Sequence, residues 1–311
     1  MVDPPRERAL SELHDGSEAT SAAVAGPLIP DALNGVLVLV RHGESTFVAE
    51  GRFQGQADPP LSEAGSRHAG LVADRLSQPD RAPALPIPDG PPVEIVHSPL
   101  RRAASTAQAV AAALGRPGAF GQEPPRRADP GLMEMGQGEW EGHPATEIAE
   151  RWGEALAVWR RRPTEAWAPG GESLRDVDRR VRASLAGVLA TLAGAGRRPV
   201  ELADPSTPLD RPVERGHVLG YGTDDMTRPW TIVVAHEGTF RVALLALLDL
   251  PLERFWAFPF ALCGISVVEL HEGEASLRAH NLTDHLWQPG AAADAEASRA
   301  IEAARAESGA L

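Results

Sequence analysis

Val36-Leu37-Val38-Leu39-Val40-Arg41-His42-Gly43 is the stretch that decides the fold. Five unbroken apolar residues, β-branched at every second position, predict a central strand of a parallel sheet covered on both faces. The run stops abruptly at Arg41 and His42. A polar cluster at the carboxyl end of such a strand is where open α/β sheets place their ligands.

Outward from this strand, helical and strand patterns alternate. Leu61-Ser62-Glu63-Ala64-Gly65 supplies an N-cap serine for a helix reaching about 76, and 79–92 is a Pro-rich connection. A second strand over 93–97 ends at Ser98-Pro99, and the Ala-rich 100–114 reads as its helix. Residues 129–142 are Gly-rich and acidic. Helical spacing then returns over 145–162 and 173–192, and the apolar strand 231–235 ends at His236 ahead of a helix over 240–248. A hairpin over 265–271 and 275–281 closes the pattern. Strands separated by helices predict an α/β protein, a three-layer α/β/α sandwich with a mostly parallel central sheet. A disordered leader is expected over 1–33, with order beginning at Gly35, followed by one domain over 34–288. Residues 194–229 lack periodicity and read as an insertion, and 289–311 as an Ala-rich tail.

Composition removes several functions. All thirty basic residues of the 311 are arginine. Without lysine there is no internal Schiff base and no Walker A loop. With a formal charge of −13, nucleic acid or an anionic membrane would meet net repulsion unless the arginines cluster locally. The one cysteine, Cys263, allows no internal disulfide, and no apolar run resembles a signal peptide or a bilayer span. A cytoplasmic protein is therefore expected.

Three strand ends carry polar groups of one character: Arg41 and His42, then Arg102, then His236. In a doubly wound sheet these ends converge, and two arginines with two histidines suit phosphate. Guanidinium forks match phosphate oxygens, and a neutral imidazole among them can attack phosphorus while the cations absorb developing charge.

The residues then match a family in order. Arg41-His42-Gly43-Glu44-Ser45-Thr46, Gly51-Arg52-Phe53-Gln54-Gly55, Leu61-Ser62-Glu63-Ala64-Gly65, Ser98-Pro99-Leu100-Arg101-Arg102-Ala103, Leu132-Met133-Glu134 with Trp140-Glu141-Gly142, Pro169-Gly170-Gly171-Glu172-Ser173 and Val234-Ala235-His236 resemble the histidine phosphatase, or phosphoglycerate mutase-like, superfamily. The similarity spans about 36–287. It implies a histidine acid-type phosphatase that hydrolyses a small phosphorylated metabolite through a phosphohistidine on His42, with no metal and no cofactor. Arg41, Arg102 and His236 would hold the phosphoryl oxygens, and Glu134 would protonate the leaving group and then activate water. Glu139 and Glu141 would be solvated acids, and Arg101 a helix-surface charge. Ser45 would contact the substrate, Gln54 and Gly55 would line the mouth, and Glu172 would orient neighbours in the pocket. A homodimer is left open; no nucleic acid or membrane partner is expected.

Two departures stand out. Val48 replaces an asparagine that many relatives use to donate to phosphate, a loss of on the order of 1.5–3 kcal/mol. Glu237 follows His236 where glycine is usual; facing the pocket it would repel phosphate or select a cationic leaving group, and facing away it would only stiffen the backbone. Two other readings compete. A phosphoglycerate mutase would need a long insert with Lys and Tyr, which a chain with only Tyr221 and no lysine does not supply. A non-catalytic domain binding phospho-ligands or protein would be expected to have lost one of Arg41, His42, Arg102, Glu134 or His236. Substrate choice falls to the cap, about 143–170 and 194–229, where Trp152, Trp159 and Trp167 read either as a substrate cover or as packing.

Overall fold

A computed structural model describes residues 27–196 and 226–287. The elements are β1 (Asn34–Arg41), α1 (Thr46–Ala49), α2 (Glu63–Ser77), β2 (Ile95–His97), α3 (Arg101–Leu114), β3 (Arg126–Ala128), α4 (Ala145–Arg161), α5 (Leu174–Gly194), β4 (Trp230–Ala235), α6 (Glu237–Leu247), β5 (Ile265–His271) and β6 (Glu274–Leu282). Short 3₁₀ turns lie at Pro130–Leu132, Gly138–Trp140, Leu252–Ala257 and Asp284–Leu286. The expected leader and tail fall mostly on residues outside the described ones, as does the core of the 194–229 segment.

The sheet order is β3-β2-β4-β1-β5-β6. The first four strands run parallel, β5 runs antiparallel to β1, and β6 antiparallel to β5. β1 is thus central but has one parallel neighbour, β4, and one antiparallel neighbour, β5. Its alternate residues feed two cores. Leu37 and Leu39 join the apolar faces of α5 and α6, whereas Val36, Val38 and Val40 pack with α2 and α3. Cover on both faces is why the run is continuously apolar.

Order extends ahead of Gly35, because Ile29 and Leu33 are buried in the first of these cores. β3 has no apolar pattern and is held at the sheet edge by its parallel pairing with β2. α6 starts at Glu237 rather than 240, with His236 as its N-cap residue. In α2, the Ser62 side chain accepts from the Gly65 N–H, and in α5 Ser173 and Asp176 form a reciprocal capping box. The cap tryptophans divide. Trp159 is core, its ring centroid 5.4 Å from both Phe255 and Trp256. Trp152 sits at a kink in α4 beneath the Arg151 guanidinium, and Trp167 is exposed.

The turn after β1 is set by close backbone approach. A methyl group at Gly65 would lie 1.9 Å from the Glu44 carbonyl oxygen, and one at Gly43 2.5 Å from the Gly65 carbonyl oxygen. Backbone cannot yield there as a side chain end can, so Gly65→Ala must push α2 away from the His42 loop. The expected loss is about 2–3 kcal/mol, read as a drop in Tm of roughly 5–10 °C together with lost function. An unchanged Tm would contradict this packing.

Burial pushes the His285 imidazole down to about 4, and its Nε2 lies 3.0 Å from the Cys263 carbonyl oxygen. The folded protein holds this ring neutral, whereas the unfolded chain protonates it from the ordinary value of 6.5. Its contribution is therefore intact above pH 6.5 and declines as pH falls from 6.5 toward 4. In urea unfolding, His285→Gln should lose less stability than wild type between about pH 7 and 4.5. Equal losses would show that this histidine does not titrate on unfolding.

Candidate active site

The carboxyl ends of the four parallel strands supply the site. β1 ends at Arg41 and delivers His42, β2 leads through Ser98 to Arg102 in the first turn of α3, the segment after β3 carries Glu134, and β4 delivers His236. Arg41, His42, Arg102, Glu134 and His236 are all buried.

His42 has a defined ring orientation. Its Nδ1 lies 2.6 Å from the Gly43 carbonyl oxygen, an acceptor only, so Nδ1 carries the proton. Nε2 then has a lone pair, which accepts from Arg102 Nε at 3.3 Å. The Arg102 guanidinium is fixed by two further donations, Nη1 to the Ala57 carbonyl and Nη2 to the Gly55 carbonyl, each 2.8 Å. Burial lowers its pKa to about 10, opposed mainly by Glu134, so it stays charged at neutral pH.

The His236 ring centroid lies 5.0 Å from that of His42. Burial, and then the Arg102 charge, holds its pKa well below the ordinary value, so this ring is neutral. Ser98 Oγ accepts from the Leu100 N–H and sits 2.7 Å from His236 Nε2. The other ring nitrogen, Nδ1, is buried and has no protein hydrogen-bond partner.

Glu134 lies against the start of α6. Its carboxylate accepts from Met135 N at 2.8 Å and from Gly238 and Thr239 N at 3.2 Å, pairing N–H groups that the helix leaves open. Arg180, not singled out in the sequence, holds the same segment by donating to the Gly131, Met133 and Glu134 carbonyls.

Several sequence expectations change. Gln54 is buried and accepts from the Ser45 hydroxyl, which also caps α1. Ser45 and Gln54 therefore brace the loop behind His42. Gly55, at φ +49, is where the chain comes close: a Cβ there would meet Glu141 Oε1 at 2.2 Å. Glu141 is not simply solvated, since Oε1 accepts from the Gln56 and Gln137 N–H groups, while Glu139 is exposed. Glu172 accepts from Gly136 N, Gln56 Nε2 and Arg180, bracing the segment that carries Glu134. Val48 is fully buried in α1. Glu237 does face inward, but its carboxylate is taken by Arg41 at 2.9 Å and by Arg241.

Among the described residues, no group of three or more His, Cys, Asp or Glu is placed to hold a metal ion, and no helix is long and apolar enough to cross a membrane.

The sequence model of the histidine phosphatase superfamily (branch 1) matches residues 37–196 and 223–283, so the chain belongs to that superfamily. It is 27% identical over 256 residues to phosphoserine phosphatase 1 of Hydrogenobacter thermophilus, covering 81% of this chain and 94% of that protein. It is 33% identical over 220 residues to a glucosyl-3-phosphoglycerate phosphatase of Mycobacterium tuberculosis, covering 70% and 78% respectively. A solved structure of a mycobacterial glucosyl-3-phosphoglycerate phosphatase in complex with inorganic phosphate superposes with a TM-score of 0.59 at 27% identity, covering 81% of this chain and 99% of that one.

The Arg102 contacts predict a specific lesion. Arg102→Lys keeps a charge but not the fork that reaches Gly55, Ala57 and His42 together. Activity should fall by about two orders of magnitude or more, the loss expected when a donor to developing charge is removed. Activity within threefold of wild type would show that charge alone suffices.

Proposed function

We propose that this chain is a metal-independent phosphomonoesterase that hydrolyses a small phosphorylated metabolite through a phosphohistidine at His42. The observation that carries the reading is the His42 ring: Nδ1–H is fixed on a carbonyl, and the Nε2 lone pair points among the strand-end cations. That is the state in which an imidazole attacks phosphorus. Nε2 forms the N–P bond as the ester oxygen departs with a proton from Glu134. Glu134, now a carboxylate, takes a proton from water. The resulting oxygen attacks phosphorus, the N–P bond breaks, and phosphate and neutral His42 are regenerated.

Arg41 and Arg102 carry the charge that accumulates on the phosphoryl oxygens, and neutral His236, in the tautomer with Nδ1 protonated, donates to one of them. The relatives named as phosphatases, one of them solved with inorganic phosphate, agree with hydrolysis. Phosphoserine and glucosyl-3-phosphoglycerate are accordingly the first esters to assay, beside an aryl phosphate.

Wild type should release inorganic phosphate from at least one ester, and His42→Ala from none. No hydrolysis by wild type across a broad panel between about pH 5 and 8 would sink the proposal. Glu134→Gln should slow alkyl phosphates far more than aryl phosphates, since only poor leaving groups need the enzyme's proton. Equal slowing of both would remove Glu134 from the acid role.

A further inference from the structure

Glu237 stands where its carboxylate meets the phosphate-binding machinery. It opens α6 directly after His236, its side chain is only 13% exposed, and Oε2 lies 2.9 Å from Arg41 Nη1. Nη1 also donates to the Phe260 carbonyl. The other carboxylate oxygen, Oε1, is held by Arg241, four residues along the same helix. Arg241 is fixed in turn by donation from Nε to the Phe258 carbonyl and by stacking over Trp256, 4.6 Å from the ring centroid.

Both carboxylate oxygens are thus engaged by arginines. The buried charges alternate in sign as Arg41, Glu237, Arg241. Without Glu237, the charge of Arg41, and more remotely that of Arg241, would act on the anion site without this offset, and inorganic phosphate, the product, would bind more tightly.

Building on the phosphatase reading, we propose that Glu237 is a positioning residue that shares Arg41 with the bound phosphate and sets how weakly product is held. The carboxylate fixes one amino group of Arg41 and offsets part of its charge. Arg241 limits that offset by drawing on the same carboxylate. Glu237→Gln and Arg241→Met should therefore move phosphate affinity in opposite directions, whereas a folding lesion would move both the same way.

The test is calorimetric titration of wild type, Glu237→Gln and Arg241→Met with inorganic phosphate at neutral pH, beside phosphate inhibition of aryl phosphate hydrolysis. Glu237→Gln should bind phosphate about fortyfold more tightly, the scale of one unit charge roughly 7–8 Å away at an effective dielectric near 20. Its KM and kcat should both fall, because release slows. Arg241→Met should bind at least roughly threefold more weakly. Unchanged or weaker binding by folded Glu237→Gln would overturn the proposal. If that variant does not fold, unchanged or tighter binding by Arg241→Met overturns it. Failure of wild type itself to bind phosphate or hydrolyse any ester would instead overturn the phosphatase reading beneath it.

Discussion

A guanidinium buried against a neutral imidazole is costly to arrange, and much of the site follows from how Arg102 is held beside His42. Each N–H that Arg102 takes out of water needs an acceptor. Three of its five N–H groups donate to the main-chain carbonyls of Ala57 and Gly55 and to the ring nitrogen of His42. Presenting the Gly55 carbonyl brings the chain so close to Glu141 that no side chain fits there. Accepting at His42 Nε2 requires the ring proton on Nδ1, which the Gly43 carbonyl secures. The loop that carries Gly43 is in turn seated on the start of α2 through Gly65.

Much of this was legible because its cause is local. The apolar run of β1 reports cover on both faces, the capping serines report helix starts, and the ordered motifs report which strand ends carry arginine and histidine. β3 was not legible, since Arg126–Ala128 has no pattern and exists only by pairing with β2. Arg180 was hidden in an arginine-rich helix, where spacing cannot distinguish a residue that reaches three carbonyls from its solvated neighbours. Arg241 was missed for a simpler reason. Placing the start of α6 at 240 concealed its i,i+4 relation to Glu237, which becomes visible once His236 is the N-cap residue.

An all-arginine basic set turns out to suit this architecture. Arg102, Arg180 and Arg241 each bond two or more separated acceptors from one planar group, which a single ammonium does with less definition. The arginines also come with acids: Glu134 near Arg102, Glu172 on Arg180, and Glu237 between Arg41 and Arg241. A pocket assembled this way has cations where phosphoryl oxygens would lie without a large net positive charge, and that matters for an enzyme that must let phosphate go.

The central claim is that His42 Nε2 becomes covalently bonded to phosphorus during turnover. Rapid quenching of wild type with a phosphorus-labelled ester, followed by peptide mapping, addresses it directly. One phosphoryl group per chain is expected, stable to base, labile to acid and carried by His42. Turnover with no protein-bound phosphoryl group, or with the label on another residue, would contradict it.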